Sequence, residues 1–122
     1  MSKKGESRDF RDYLNDILEM IKDINNFTHG MSYEGLVNDK KTLYAVIRCL
    51  EVLGEAVRKI PDDTRNEYSE MPWQEIAGMR NKLIHEYFGI DTETIWDTIK
   101  DDLPALKKTV ERILTGGAND II

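Results

Sequence analysis

Apolar residues in this chain recur at every third or fourth position in one long block after another, and nowhere do they alternate. A period near 3.6 is the mark of a helix with one buried face, and a period of two would mark a strand. The first block, Phe10, Tyr13, Leu14, Ile17, Ile21 and Ile24, predicts a helix of about six turns. It should end near Gly30, with His29 in the last turn beside exposed carbonyls. A single helical turn is expected around Tyr33 to Val37. A second long helix, capped by Asp39 and ended by Pro61, then carries Leu43, Val46, Ile47, Leu50, Leu53, Val57 and Ile60. Gly54 falls inside that stripe, where a missing side chain lets another helix come close. "PDDTRNEYSEM" reads as a polar connector with another short turn. A third helix opens at Pro72, a first-turn position where the missing amide proton costs little, and should run to about Tyr87, with Gly89 as its stop. Asp91 caps a fourth, with Ile95, Trp96, Ile99, Leu103, Leu106, Val110 and Ile113 on one face. Pro104 should kink or restart it, because proline removes the hydrogen bond to the Lys100 carbonyl. The expected fold is all-α, an antiparallel bundle of four main helices with short extra helical turns. Residues 1–8 read as a disordered lead-in, 9–114 as one helical domain and 115–122 as a flexible tail.

Composition narrows the function classes. The chain has 122 residues, 40% hydrophobic and 33% charged, enough for one real core and too apolar for a disordered segment. Its net charge of −6 argues against coating nucleic acid through bulk electrostatics, while leaving room for a local phosphate-binding spot. One cysteine, Cys49, makes no internal disulfide and suits a reducing cytoplasm. With two histidines and that one cysteine, a zinc site built from nitrogen and sulfur ligands is not expected. No apolar run reaches the roughly 18–20 residues of a membrane span. "MSKKGESRD" has charge with no apolar segment behind it, unlike a signal peptide.

The chemistry concentrates in "RNKLIHEYFG", Arg80 to Gly89. On a helical wheel, Trp73, Ile76, Leu83, Ile84 and Tyr87 fall within about 60° of one direction, and Arg80 lies among them. A guanidinium on a packing face needs carboxylates, hydrogen-bond acceptors or a ligand phosphate. The second helix offers Tyr44, Arg48, Glu51, Glu55 and Arg58 as a polar strip with i,i+3 and i,i+4 spacing. Arg80 is therefore either locked by Glu51 or Glu55 in a structural ion pair, or open to a phosphate. His85, about 140° round the wheel beside Asn81 and Gln74, is either a helix-end residue or a proton-transfer group. Tyr87 on spacing alone is a core aromatic.

"RNKLIHEY" has the form Arg, four residues, His, one residue, Tyr, and resembles the motif of the HepT-like toxins of the HEPN superfamily. "YLNDILEMIKDI", "AVIRCLEVLGEAVRKIP", "MPWQEIAGMRNKLIHEYFGID" and "IWDTIKDDLPAL" resemble the same family in the same order, across roughly residues 10 to 114. The resemblance implies a HEPN-like fold and the toxin of a toxin–antitoxin pair. Such toxins are metal-independent, cofactor-free endoribonucleases that dimerise so that two motifs face one cleft. It implies that Arg80 and His85 carry the activity, with Asn81 as the polar residue after the arginine. It further implies a minimal nucleotidyltransferase partner of the MntA kind, which silences the toxin by placing AMP on Tyr87.

These residues suit that chemistry. Cleaving RNA without a metal uses the neighbouring 2′-hydroxyl as nucleophile and needs a base, an acid and a cation for the phosphorane. One chain has one suitable histidine, and a two-fold dimer would supply two. His85 is expected to transfer protons, Arg80 to bind the scissile phosphate and Asn81 to orient one or the other. Arg48 and Lys82 are weaker candidates for further phosphate contacts. If the third helix is continuous, Tyr87 lies about 20° from Arg80 and roughly 10 Å along the axis, close enough for AMP to block the cleft. The rival expectation is a non-catalytic helical dimer that binds nucleotides or the transferase through the same cleft.

Overall fold

The computed structural model describes residues 9–79, 84–85 and 89–116, with the backbone alone for 84 and 85. Helix α1 (Phe10–Phe27) begins where the Asp9 carboxylate accepts the Arg11 N–H at 3.1 Å. It ends at Thr28, and Gly30 turns the chain away at φ +77°. The single turn expected next is α2 (Tyr33–Val37). Asp39 then caps α3 (Lys40–Arg58), accepting the Thr42 N–H at 3.1 Å and the Thr42 hydroxyl at 2.8 Å. Those bonds, the amide first, hold the Asp39 carboxyl below the usual carboxylate range. The short turn in the connector is α4 (Asp62–Glu67), followed by α5 (Trp73–Ala77).

The expected stripes form the core. Leu14, Ile17, Ile21 and Ile24 of α1 meet Leu50, Leu53 and Val57 of α3, each at most 2% exposed. Full burial of one such side chain is worth about 1.5–3 kcal/mol, so this seam holds the two long helices together. Gly54 sits where α5 crosses α3. A Cβ there would lie 3.2 Å from the carbonyl oxygens of both Ile76 and Ala77, so the two helices touch backbone to backbone. Trp73 fixes the approach, its indole N–H shared between the carbonyls of Arg65 at 3.1 Å and Tyr68 at 3.0 Å.

The third helix departs from expectation. It stops at Ala77, where the Gly78 N–H folds back on Gln74 and Ile76 carbonyls, and the backbone is helical again at Met79. Beyond that point Ile84–His85 (β1) is extended and pairs antiparallel with Gly89–Ile90 (β2), Ile84 opposite Ile90 and His85 opposite Gly89. Glycine is the costliest helix residue after proline, and β-branched Ile84 suits an extended segment. Gly89 at φ +87° supplies a backbone that other residues rarely adopt. A continuous helix from Pro72 to Tyr87 is thus replaced by a short helix, a break and a two-residue strand pair. The wheel position read for His85 does not hold, because its backbone is extended, while Arg80 and Tyr87 lie outside the described residues.

Asp91 repeats the Asp39 cap with Thr94, at 3.0 and 2.8 Å, and opens α6 (Thr92–Asp97). A π-helical turn over Thr98–Asp102 precedes α7 (Leu103–Leu114), which carries Pro104 in its first turn. The wide turn is how the helix restarts around a residue with no N–H to give. α7 packs on α1 with Leu106 and Val110 fully buried. The Tyr33 and Thr92 hydroxyls share a 2.8 Å hydrogen bond, and the Tyr33 ring meets Trp96 edge-on at 6.0 Å, tying α2 to α6. The architecture is the expected all-α bundle, HEPN-like in layout, with one minimal strand pair added. Among the described residues, no helix is long and apolar enough to cross a membrane.

Candidate functional site

Beside the crossing of α3 and α5 at Gly54 lies a groove of about 440 Å³. Its walls are Arg48, Glu51, Val52, Glu55 and Arg58 of α3, and Ala77 at the end of α5. The polar strip read from the sequence is therefore one side of a real depression. Helical geometry explains this: positions 48, 51, 55 and 58 share one face, while Leu50, Leu53 and Val57 point into the core. Arg48 donates from Nη1 to Glu51 Oε1 at 3.3 Å, with its side chain 74% exposed. An exposed i,i+3 pair of this kind contributes only about 0.2–1 kcal/mol, so Arg48 can exchange Glu51 for a stronger anion at little cost. Arg58 donates from Nε to the Ala77 carbonyl at 3.4 Å, which sets its guanidinium at the groove's edge. Apart from Gly54, no residue pattern foreshadows that carbonyl bond.

The groove's wall at Ala77 precedes the motif in the sequence. Ala77 is a wall residue, and Arg80 follows three positions later in the chain. Arg80, Asn81, Lys82 and Tyr87 lie outside the described residues. Of His85 the backbone is described, held in β1 opposite Gly89, and the side chain is outside. Arg48 and Glu51, the two supporting residues expected from the second helix, are brought together in the groove.

The remaining chemistry-bearing residues lie elsewhere. His29 is exposed in the turn after α1. Cys49 is buried on the opposite side of α3, and burial, with Asp23 nearby, pushes its thiol up and keeps it protonated. Among the described residues no group of three histidine, cysteine or acidic side chains is placed to hold a metal ion.

Comparison with known proteins gives the family. Residues 17–113 match the family described as "Ribonuclease HepT-like", a span that contains the groove and the whole motif. A Methanocaldococcus jannaschii protein named "Putative RNase MJ1216" is 54% identical over 107 residues, covering 88% of this chain and 88% of its own. A Thermococcus cleftensis protein named "Probable ribonuclease HepT" is 48% identical over 106 residues, covering 87% of this chain and 96% of its own. No solved structure matches the chain.

Proposed function

Since this chain belongs to the HepT-like ribonuclease family, we propose that it is a metal-independent endoribonuclease whose site is completed at a homodimer interface. The observation that carries this reading is the match over residues 17–113, which takes in both the Arg80–Tyr87 motif and the groove lined by Arg48, Glu51, Glu55 and Arg58. In this reaction the 2′-oxygen attacks the adjacent phosphorus and the bond from phosphorus to the 5′-oxygen breaks. The products are a 2′,3′-cyclic phosphate and a free 5′-hydroxyl. One proton leaves the 2′-hydroxyl for a base, and one reaches the departing 5′-oxygen from an acid. Two copies of His85, one from each protomer, fill those roles. Arg80 neutralises charge on the phosphorane, Asn81 orients it, and Arg48 holds a neighbouring phosphate. Arg80 follows the Ala77 wall by three residues, a span of at most about 11 Å, which supports reading the groove and the motif as one site.

The test is cleavage of an unstructured RNA by the purified protein in the presence of a chelator. Fragments ending in 2′,3′-cyclic phosphate are expected, and the same RNA carrying 2′-O-methyl groups should resist. Cutting of the methylated RNA at a similar rate would overturn the mechanism.

The chain further reads as the toxin of a toxin–antitoxin pair, controlled at Tyr87. In that step the phenolic oxygen attacks the α-phosphorus of ATP bound to a nucleotidyltransferase of the MntA kind, and pyrophosphate leaves. The added phosphate competes with RNA for Arg80, and the adenosine fills the cleft. Co-expression with the transferase should add AMP to the wild-type chain and none to Tyr87→Phe, which stays active in its presence. A Tyr87→Phe chain that gains the same mass would sink this part of the proposal.

A further inference from the structure

The exposed positions of α3 are Lys40, Lys41, Tyr44, Arg48, Glu55 and Arg58. Four are cations and one is a carboxylate, on a chain whose net charge is −6. Tyr44 stands among them 55% exposed, one of two large hydrophobic side chains so exposed among the described residues. It lies one turn before Arg48, and residues four apart on a helix are direct neighbours on its surface. The groove begins at Arg48 and runs on to Arg58 and Ala77. α7 also exposes cations, Lys107 and Lys108, yet among the described residues no large hydrophobic side chain of α7 is exposed with them. The other exposed aromatic, Phe27, lies at the C-terminal end of α1.

We propose that this face of α3 is a track for single-stranded RNA, on which Tyr44 stacks an unpaired base and Arg48 takes the adjoining phosphate. The proposal rests on the ribonuclease reading and names the form of its substrate. An exposed aromatic beside cations is how sequence-tolerant sites hold single strands, because every base has a flat face to stack. Bases inside a duplex already stack on each other and leave a tyrosine nothing to cover. From Lys40 to Arg58 the track is about 27 Å long by helical rise, room for several nucleotides leading into the groove.

The test measures binding of a single-stranded 2′-O-methyl oligonucleotide, which cannot be cut through its 2′-oxygen, at one fixed salt concentration. Tyr44→Ala should weaken binding about 5- to 100-fold, the range expected for one lost stacking contact. Tyr44→Phe and Tyr44→Trp should keep it, and Lys107→Ala should change it little. A fully paired version of the oligonucleotide should bind more weakly than the single strand and be indifferent to Tyr44→Ala. Equal single-strand binding by wild type and Tyr44→Ala overturns the track, while wild-type cleavage still upholds the ribonuclease. A Tyr44→Ala chain that sediments as a smaller species than wild type shows that a second copy covers this tyrosine, and also overturns it. Wild type that neither binds nor cleaves any RNA overturns the ribonuclease reading beneath.

Discussion

His85→Ala is expected to lower RNA cleavage by about 10²–10⁴-fold, the usual worth of a positioned proton-transfer group, with an unchanged melting temperature. Neither the other imidazole nor the thiol of the chain can take over. Its only other imidazole, His29, is in the turn after α1 and is not among the residues that line the groove. The Cys49 thiol is buried and raised, so it offers neither a base nor an accessible acid. If the proposed two-fold site draws one histidine from each chain, the substitution removes base and acid together. Mixed dimers with one intact His85 should therefore also be slow. The measurement is initial rate on a labelled RNA, with His29→Ala as a control that keeps its activity. A His85→Ala protein within about threefold of wild type would remove His85 from the mechanism; the family assignment would stand.

The second large effect is structural. Gly54→Leu should destabilise the fold by about 1–3 kcal/mol, the cost of overfilling a packed contact, and lower the melting temperature by roughly 5–10 °C. The reason is the 3.2 Å separation between a Cβ at that position and the Ile76 and Ala77 carbonyl oxygens. Those are backbone atoms, so relief requires moving α5, and the motif is attached to α5's end. Cleavage should fall alongside stability, unlike the His85 case. Gly54→Ala adds one methyl at the same distance but gains about 0.5–1 kcal/mol of helix preference, so its effect is the smaller. A Gly54→Leu chain that melts like wild type on thermal denaturation would show that α5 is free to shift.

Most of the helical frame was legible because its signals were local. Asp39 and Asp91 each sit three residues before a threonine, and both form the expected cap. Tyr33–Val37 forms the expected single turn, and Pro104 restarts its helix as a residue without an N–H must. Gly54 in an apolar stripe signalled close approach correctly. The third helix misled because Ile76, Leu83 and Ile84 keep a helical interval across a break at Gly78. Periodicity registers which side chains are apolar, and it is blind to a backbone that leaves the helix between them. The helix ends at Gly78, and the later pairing of Ile84–His85 with Gly89–Ile90 is a backbone feature that the interval does not encode. The groove was half legible: the polar strip was visible on α3, and its opposite wall at Ala77 depended on how α5 crosses.

The two faces of α3 also bear on how a protein of this kind can diversify. Its inner face carries Leu50, Leu53 and Val57 at full burial, and Gly54 is fixed by a main-chain collision. Its outer face carries residues whose replacement costs the fold little, since exposed substitutions usually fall within about 0.5 kcal/mol of neutral. Residues 44, 48, 55 and 58 are thus free to drift while the scaffold stays whole. A lineage can exchange one preferred RNA for another on the same helix, with no intermediate that fails to fold.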